Sequence, residues 1–100
     1  MYAQYVYTIG VFEWHDVKRQ SNIEKHGLDF IDAVPVFDGR FVISFPAKTE
    51  TETRVVTVGK LDDGNFYTVV WTQRIEARRI ISFRRARNGE ERTYLALFGG

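Results

Sequence analysis

Arg54-Val55-Val56-Thr57-Val58-Gly59-Lys60-Leu61, then Asp62-Asp63-Gly64-Asn65, then Phe66-Tyr67-Thr68-Val69-Val70-Trp71-Thr72 reads as strand, turn and strand. Both flanks are dense in β-branched and aromatic residues, and the Asp-Gly-Asn centre suits a tight hairpin. Gln73-Arg74-Ile75-Glu76 is a second tight connection. It leads into Ala77-Arg78-Arg79-Ile80-Ile81-Ser82-Phe83-Arg84-Arg85-Ala86-Arg87, in which five arginines surround an apolar centre. Strict alternation along a strand puts Arg79, Ile81, Phe83 and Arg85 on one side and Arg78, Ile80, Ser82 and Arg84 on the other. One side can hold a core while the other offers guanidinium forks to phosphate. Charges that protect an edge strand explain the same pattern.

Working outward, Phe41-Val42-Ile43-Ser44-Phe45 is a strand that Pro46 ends, after a turn at Asp38-Gly39. Asp29 opens a short helix in which Phe30, Ala33, Val34 and Phe37 recur at i, i+3, i+4 and i+7, limited by Pro35. Asp16 starts an earlier helix that Gly27 stops, with Lys25 and His26 in its last turn. Tyr5-Val6-Tyr7-Thr8-Ile9 and Val11-Phe12-Glu13-Trp14 are extended pieces separated by Gly10, a bulge or turn. Asn88 caps a closing helix through Tyr94 and Leu97. The fold class is α+β: an antiparallel sheet of three to four main strands with two N-terminal helices and a C-terminal helix on one face.

One hundred residues with 44% hydrophobic and 15% aromatic content suit a single domain spanning 1–100. Without cysteine there is no disulfide framework and no thiolate metal site, as a reducing cytoplasm favours. No run of about 18 apolar residues is present to span a membrane. Net charge is only +1, but residues 1–50 carry five Lys/Arg against seven Asp/Glu, whereas residues 51–100 carry nine against six. A local basic field on a nearly neutral protein favours a small polyanion site over wholesale DNA coating.

Chemistry on a polyanion's phosphate without metal or cofactor needs a base, an acid and positive charge around it. His26 is the strongest acid–base candidate, because imidazole exchanges protons near neutrality. A histidine before a helix-ending glycine also serves as a dipole partner. Arg79 and Arg84 are phosphate candidates, and with His26 they form the candidate catalytic set. Ser82 shares a strand face with Arg84. Lys25, Arg74, Ser82, Arg85 and Tyr94 are candidate substrate contacts; Tyr94 either stacks on a base or buries its ring. Trp14 and Trp71 read as core or interface residues, and His15 as surface. No HExxH, paired-Asp or nucleophile triad motif is present.

Phe12-Glu13-Trp14-His15-Asp16-Val17-Lys18, then Asn22, Lys25-His26-Gly27, Phe30, Ala33 and Val36-Phe37, resembles the opening of BrnT-type toxins. The likeness resumes at Glu52-Thr53-Arg54, Gly59, Val69-Val70-Trp71-Thr72-Gln73-Arg74 and Arg79-Ile80-Ile81-Ser82-Phe83-Arg84-Arg85-Ala86, and ends at Glu90 and Tyr94, so residues 1–10 precede it. His15 stands where that family usually has Asp, Trp71 where it has Tyr, Gln73 where it has Glu, and Asn88-Gly89 where it often has basic residues. The resemblance implies a RelE-like fold and a cytoplasmic toxin of a type II toxin–antitoxin pair, a ribonuclease that stops translation. It also implies a ribbon-helix-helix antitoxin of BrnA type, a heterotetramer of two toxins and two antitoxins, and operator binding only through the antitoxin. The alternative is a non-catalytic module that docks an acidic partner on its arginine-rich face.

Overall fold

Among the described residues six strands form one sheet, two to three more than the three to four main strands expected. They are β1 (Val6–Ile9), β2 (Phe12–His15), β3 (Val42–Lys48), β4 (Thr53–Lys60), β5 (Phe66–Gln73) and β6 (Arg78–Arg85), in the order β1-β2-β6-β5-β4-β3. The computed structural model describes residues 6–99 apart from Gly10, so the bulge or turn expected at Gly10 and the strand start at Tyr5 lie outside the described residues. The sheet is mixed: β2 pairs with β6 in parallel through Phe12↔Arg78 and Glu13↔Arg79, while every other neighbour is antiparallel. Four-residue strands are too short for their alternation to name a partner, so this long-range pairing was invisible locally.

The β4–β5 hairpin forms where expected, with Val58↔Thr68 and Thr57↔Val69 in register. Strand β3 runs through Pro46 rather than stopping before it. It is the last strand in the sheet, and proline is tolerated where one side of a strand has no partner. Between β5 and β6 the register shifts at Val70/Trp71, pairing Val70 with Ser82 but Trp71 with Ile80. Ile81 is thus the extra residue of a β-bulge, and strict alternation fails there. Arg79 moves to the face of Ser82 and Arg84, while Arg78, Ile80, Phe83 and Arg85 share the other.

That second face is the core face. Phe12, Trp14, Val69, Ile80 and Phe83 meet Phe30, Ala33 and Val36, each fully or nearly fully buried. Burying side chains of this size is worth about 1.5–3 kcal/mol each. Phe30, Ala33 and Val36 recur every third residue because Phe30–Phe37 is a 3-10 helix, not the α-helix expected; its side chains eclipse at i, i+3 and i+6. Val36 therefore takes the buried place that an α-helical period gave to Val34. Arg78 closes this core, its guanidinium carbon 4.8 Å from the Phe37 ring centroid and 5.2 Å from that of Trp71.

The helices do not share one face. Helix α2 (Asn88–Phe98) lies on the opposite side of the sheet, where Tyr94 meets Ile43, Val58 and Phe66. Helix α1 (Asp16–His26) runs along the edge of β6 beyond the point where β2 stops. There Asn22, only 4% exposed, stands in for a missing strand. Its amide accepts from Phe83 N at 3.0 Å and donates to Phe83 O at 2.8 Å and Leu28 O at 2.9 Å. Gly27 ends α1 in the left-handed region (φ 68°), its N–H donating to Ile23 O.

Candidate functional site

Because α2 covers only one end of its sheet face, the other end stays open as a trough. Helix α1 supplies one wall with Lys18, Ser21, Asn22, Lys25 and His26. The sheet supplies the floor with Val70, Ser82 and Arg84, and Arg54 and Arg87 close the sides of a cavity of about 320 Å3. A smaller cavity of about 140 Å3 continues it toward β2, sharing Lys18, Arg54 and Ile81 and adding His15, Thr72, Arg74 and Arg79. The bulge at Ile81 is what brings Arg79 into the same trough as Arg84.

Arg84 is fixed rather than free. Glu90 from the first turn of α2 takes it bidentately, with Nη1–Oε1 and Nη2–Oε2 both 2.9 Å. Glu90 also accepts from Thr68 Oγ1 at 2.9 Å and from the backbone N of Arg87 at 2.8 Å. Burial pushes the Glu90 carboxyl up, but the Arg84 guanidinium, the Arg87 N–H and the Thr68 hydroxyl outweigh it and hold its pKa at about 2, below the ordinary 4.5. A carboxylate depressed in the folded state contributes stability that is complete above the ordinary value and lost as protons are added. We therefore expect thermal stability to decline as pH falls from about 4.5 toward 2, and Glu90→Gln to flatten that decline in acid titrations followed by circular dichroism.

Arg79 is fixed in a similar way on the β2 side. Its Nε donates to Glu13 Oε2 at 2.6 Å, Nη2 also meets that oxygen, and Nη1 lies 3.1 Å from His15 Nε2. Arginine has no acceptor, so His15 Nε2 accepts and the ring is neutral, with its proton on Nδ1. Burial and the nearby Arg79 push the His15 pKa down; Glu13 opposes them, while Arg74 and Lys18 add to the depression. Arg54 completes the pattern by pairing with Glu52 at 2.9 Å.

The trough gathers six of the eight expected residues: His26, Lys25, Ser82 and Arg84 in the larger cavity, Arg74 and Arg79 in the smaller. The other two lie elsewhere. Arg85 is on the core face, its guanidinium over the Tyr67 ring and bonded to Asn65 Oδ1. Tyr94 is buried, its hydroxyl donating to Phe41 O at 3.3 Å. Lys18, Arg54 and Arg87 were not expected, and among the described residues no carboxylate pairs with Lys18, Lys25, Arg74 or Arg87. Lys18 was findable: Lys18, Ser21, Asn22 and Lys25 recur at i, i+3, i+4 and i+7, a polar stripe as regular as any apolar one. His15 is half-buried beneath the trough rather than a surface residue.

Residues 14–90 match the family described as "Ribonuclease toxin, BrnT, of type II toxin-antitoxin system". The crystal structure of the Brucella abortus ribonuclease toxin BrnT is similar with a TM-score of 0.61 and 32% identity, over 75% of this chain and 94% of that one. No curated protein matches by sequence. A family match over most of the chain, joined by a like fold at that identity, places this protein in the BrnT family of type II toxin–antitoxin toxins.

Proposed function

We propose that this protein is a metal-independent endoribonuclease that stops translation by cleaving RNA in the trough. The observation that carries the reading is one imidazole, His26, lining a cavity together with Lys18, Lys25, Arg54, Arg84 and Arg87. In such cleavage the 2′-oxygen attacks the adjacent phosphorus and the bond to the 5′-oxygen breaks. A proton leaves the 2′-hydroxyl and another reaches the 5′-oxygen. His26 is the group able to move a proton there. Arg84, oriented by Glu90, offers N–H groups to the charge that builds on phosphorus, and Ser82 adds a hydroxyl on the same strand face. Lys25 and Arg87 hold the chain electrostatically, and Arg79 and Arg74 extend that field toward β2. We read the fold as RelE-like.

The same reading gives the toxin's partner as a BrnA-type ribbon-helix-helix antitoxin that shields the trough with acidic side chains, in an assembly of two toxins and two antitoxins. Operator DNA is bound through the antitoxin alone. Support comes from Glu13, Glu52 and Glu90, whose carboxylates already fit the forks of Arg79, Arg54 and Arg84. Among the described residues no helix is long and apolar enough to cross a membrane.

The test is to incubate purified toxin in EDTA with labelled single-stranded RNA, with and without ribosomes. Fragments in either arm are the expected result. Intact RNA in both, from protein that melts cooperatively, would overturn the nuclease and leave a docking module.

A further inference from the structure

The small cavity beside β2 has chemistry of its own. It lies next to the larger cavity through Lys18, Arg54 and Ile81, yet its far wall is built from Arg79, Arg74, Thr72 and His15. Its 140 Å3 is several times the roughly 30 Å3 that a water occupies. Lys18, Arg54, Arg74 and Arg79 line it; Glu52 pairs with Arg54 and Glu13 with Arg79, while among the described residues no carboxylate pairs with Lys18 or Arg74. Lys18, Arg74 and Arg79 act together on His15, whose pKa burial and then these cations depress against the pull of Glu13.

His15 holds a specific position in this field. It accepts from Arg79 without cancelling its charge, because a neutral imidazole supplies a lone pair and nothing more. A carboxylate there would give Arg79 a second anion and halve the surplus of positive charge. The fold itself would prefer that carboxylate: His15 is the N-cap of α1 and makes no side-chain cap bond, a place where Asp is among the best residues. The chain thus carries a poor cap where a good one would halve the cavity's surplus charge.

We propose that this cavity is a second phosphate subsite, which takes the phosphodiester next to the one being cleaved, and that His15 is the positioning residue that keeps it positive. The inference rests on the nuclease reading for the identity of the first phosphate. The substrate class is therefore single-stranded RNA held by two successive phosphates rather than at one.

The test uses the full chain and two 2′-O-methyl RNA ligands that cannot be cleaved, a dinucleotide with one phosphate and a trinucleotide with two, at fixed low salt. The wild type should bind the two-phosphate ligand roughly tenfold more tightly. His15→Asp should lower that ratio several-fold while its thermal midpoint stays at or above that of the wild type. His15→Gln, a neutral acceptor, should keep the preference. Arg74→Gln, exposed on the hairpin tip, should reduce the ratio without touching the helix cap. A preference unchanged in His15→Asp and Arg74→Gln, or absent from the wild type, would overturn the subsite. Wild-type protein that shows the preference but cleaves no RNA would keep the subsite and remove the nuclease. Cleavage with a ratio near one would do the reverse.

Discussion

His26→Ala is expected to lower RNA cleavage by about 10²–10⁴-fold, the contribution typical of a positioned acid–base group. At about 1.36 kcal/mol per decade this raises the barrier by roughly 3–5 kcal/mol. Folding should barely notice. His26 is exposed, and the helix end it precedes is closed by backbone, through the Gly27 N–H to Ile23 O. The loss to stability is the interaction of a side chain with the helix C-terminus, about 0.3–1 kcal/mol at most. The two roles of a histidine at this position are thereby separable. Single-turnover cleavage of a labelled RNA and a urea titration of the same sample decide between them. A variant that cuts like the wild type but melts earlier would make His26 a helix-terminating residue and nothing else.

The second large effect falls on stability. Asn22→Ala should destabilise the fold by about 3–4 kcal/mol, because Phe83 N and O would be left buried with no partner at about 1–3 kcal/mol each. A domain of this size has only about 5–15 kcal/mol in hand. Asn22→Asp should be nearly as damaging: it keeps an acceptor for Phe83 N but turns an oxygen toward the carbonyls of Phe83 and Leu28. Asn22→Leu restores volume and not the bonds, so it should not rescue. Urea midpoints report the loss, and hydrogen exchange at the Phe83 amide localises it. Protection of that amide unchanged in Asn22→Ala would refute the account.

The parts of the fold legible in the chain were those with dense local pattern. The β4–β5 hairpin has turn chemistry and β-branched flanks, and α1 has Gly27 to stop it. What escaped was set by contacts distant in sequence. Nothing near Phe12 or Glu13 says that they pair with Arg78 and Arg79, and nothing near Ile81 says that it bulges. That single extra residue reversed the face assigned to Arg79, which is why alternation separated two arginines that share a trough. The 3-10 helix reads as an α-helix because the spacing of Phe30 and Ala33 suits both periods; Val36 in the core, with Val34 and Phe37 only partly buried, distinguishes them. At the site, His26, Lys25, Ser82 and Arg84 were legible from residue chemistry and the family's spacing. Glu13 and Glu90 were not, since a carboxylate that holds an arginine looks like any solvated acid. Arg85 and Tyr94 were misplaced by the competing pull of the core, which claims an aromatic ring, and an arginine stem over Tyr67, before a ligand can.

The asparagine that closes the edge of β6 also sets a clock. It contacts a residue 61 positions later, and Glu13 reaches Arg79 across 66. Such separations make the trough a late event in folding, since its walls belong to opposite ends of the chain. Synthesis runs from the N-terminus at about 5–20 residues per second, so α1 waits roughly 3–12 seconds for its sheet edge. Prematurely terminated products that end before β6 contain His26 and Lys25 but lack Ser82 and Arg84 from the floor of the trough. Any activity housed in the trough therefore belongs to chains in which β6 has been made.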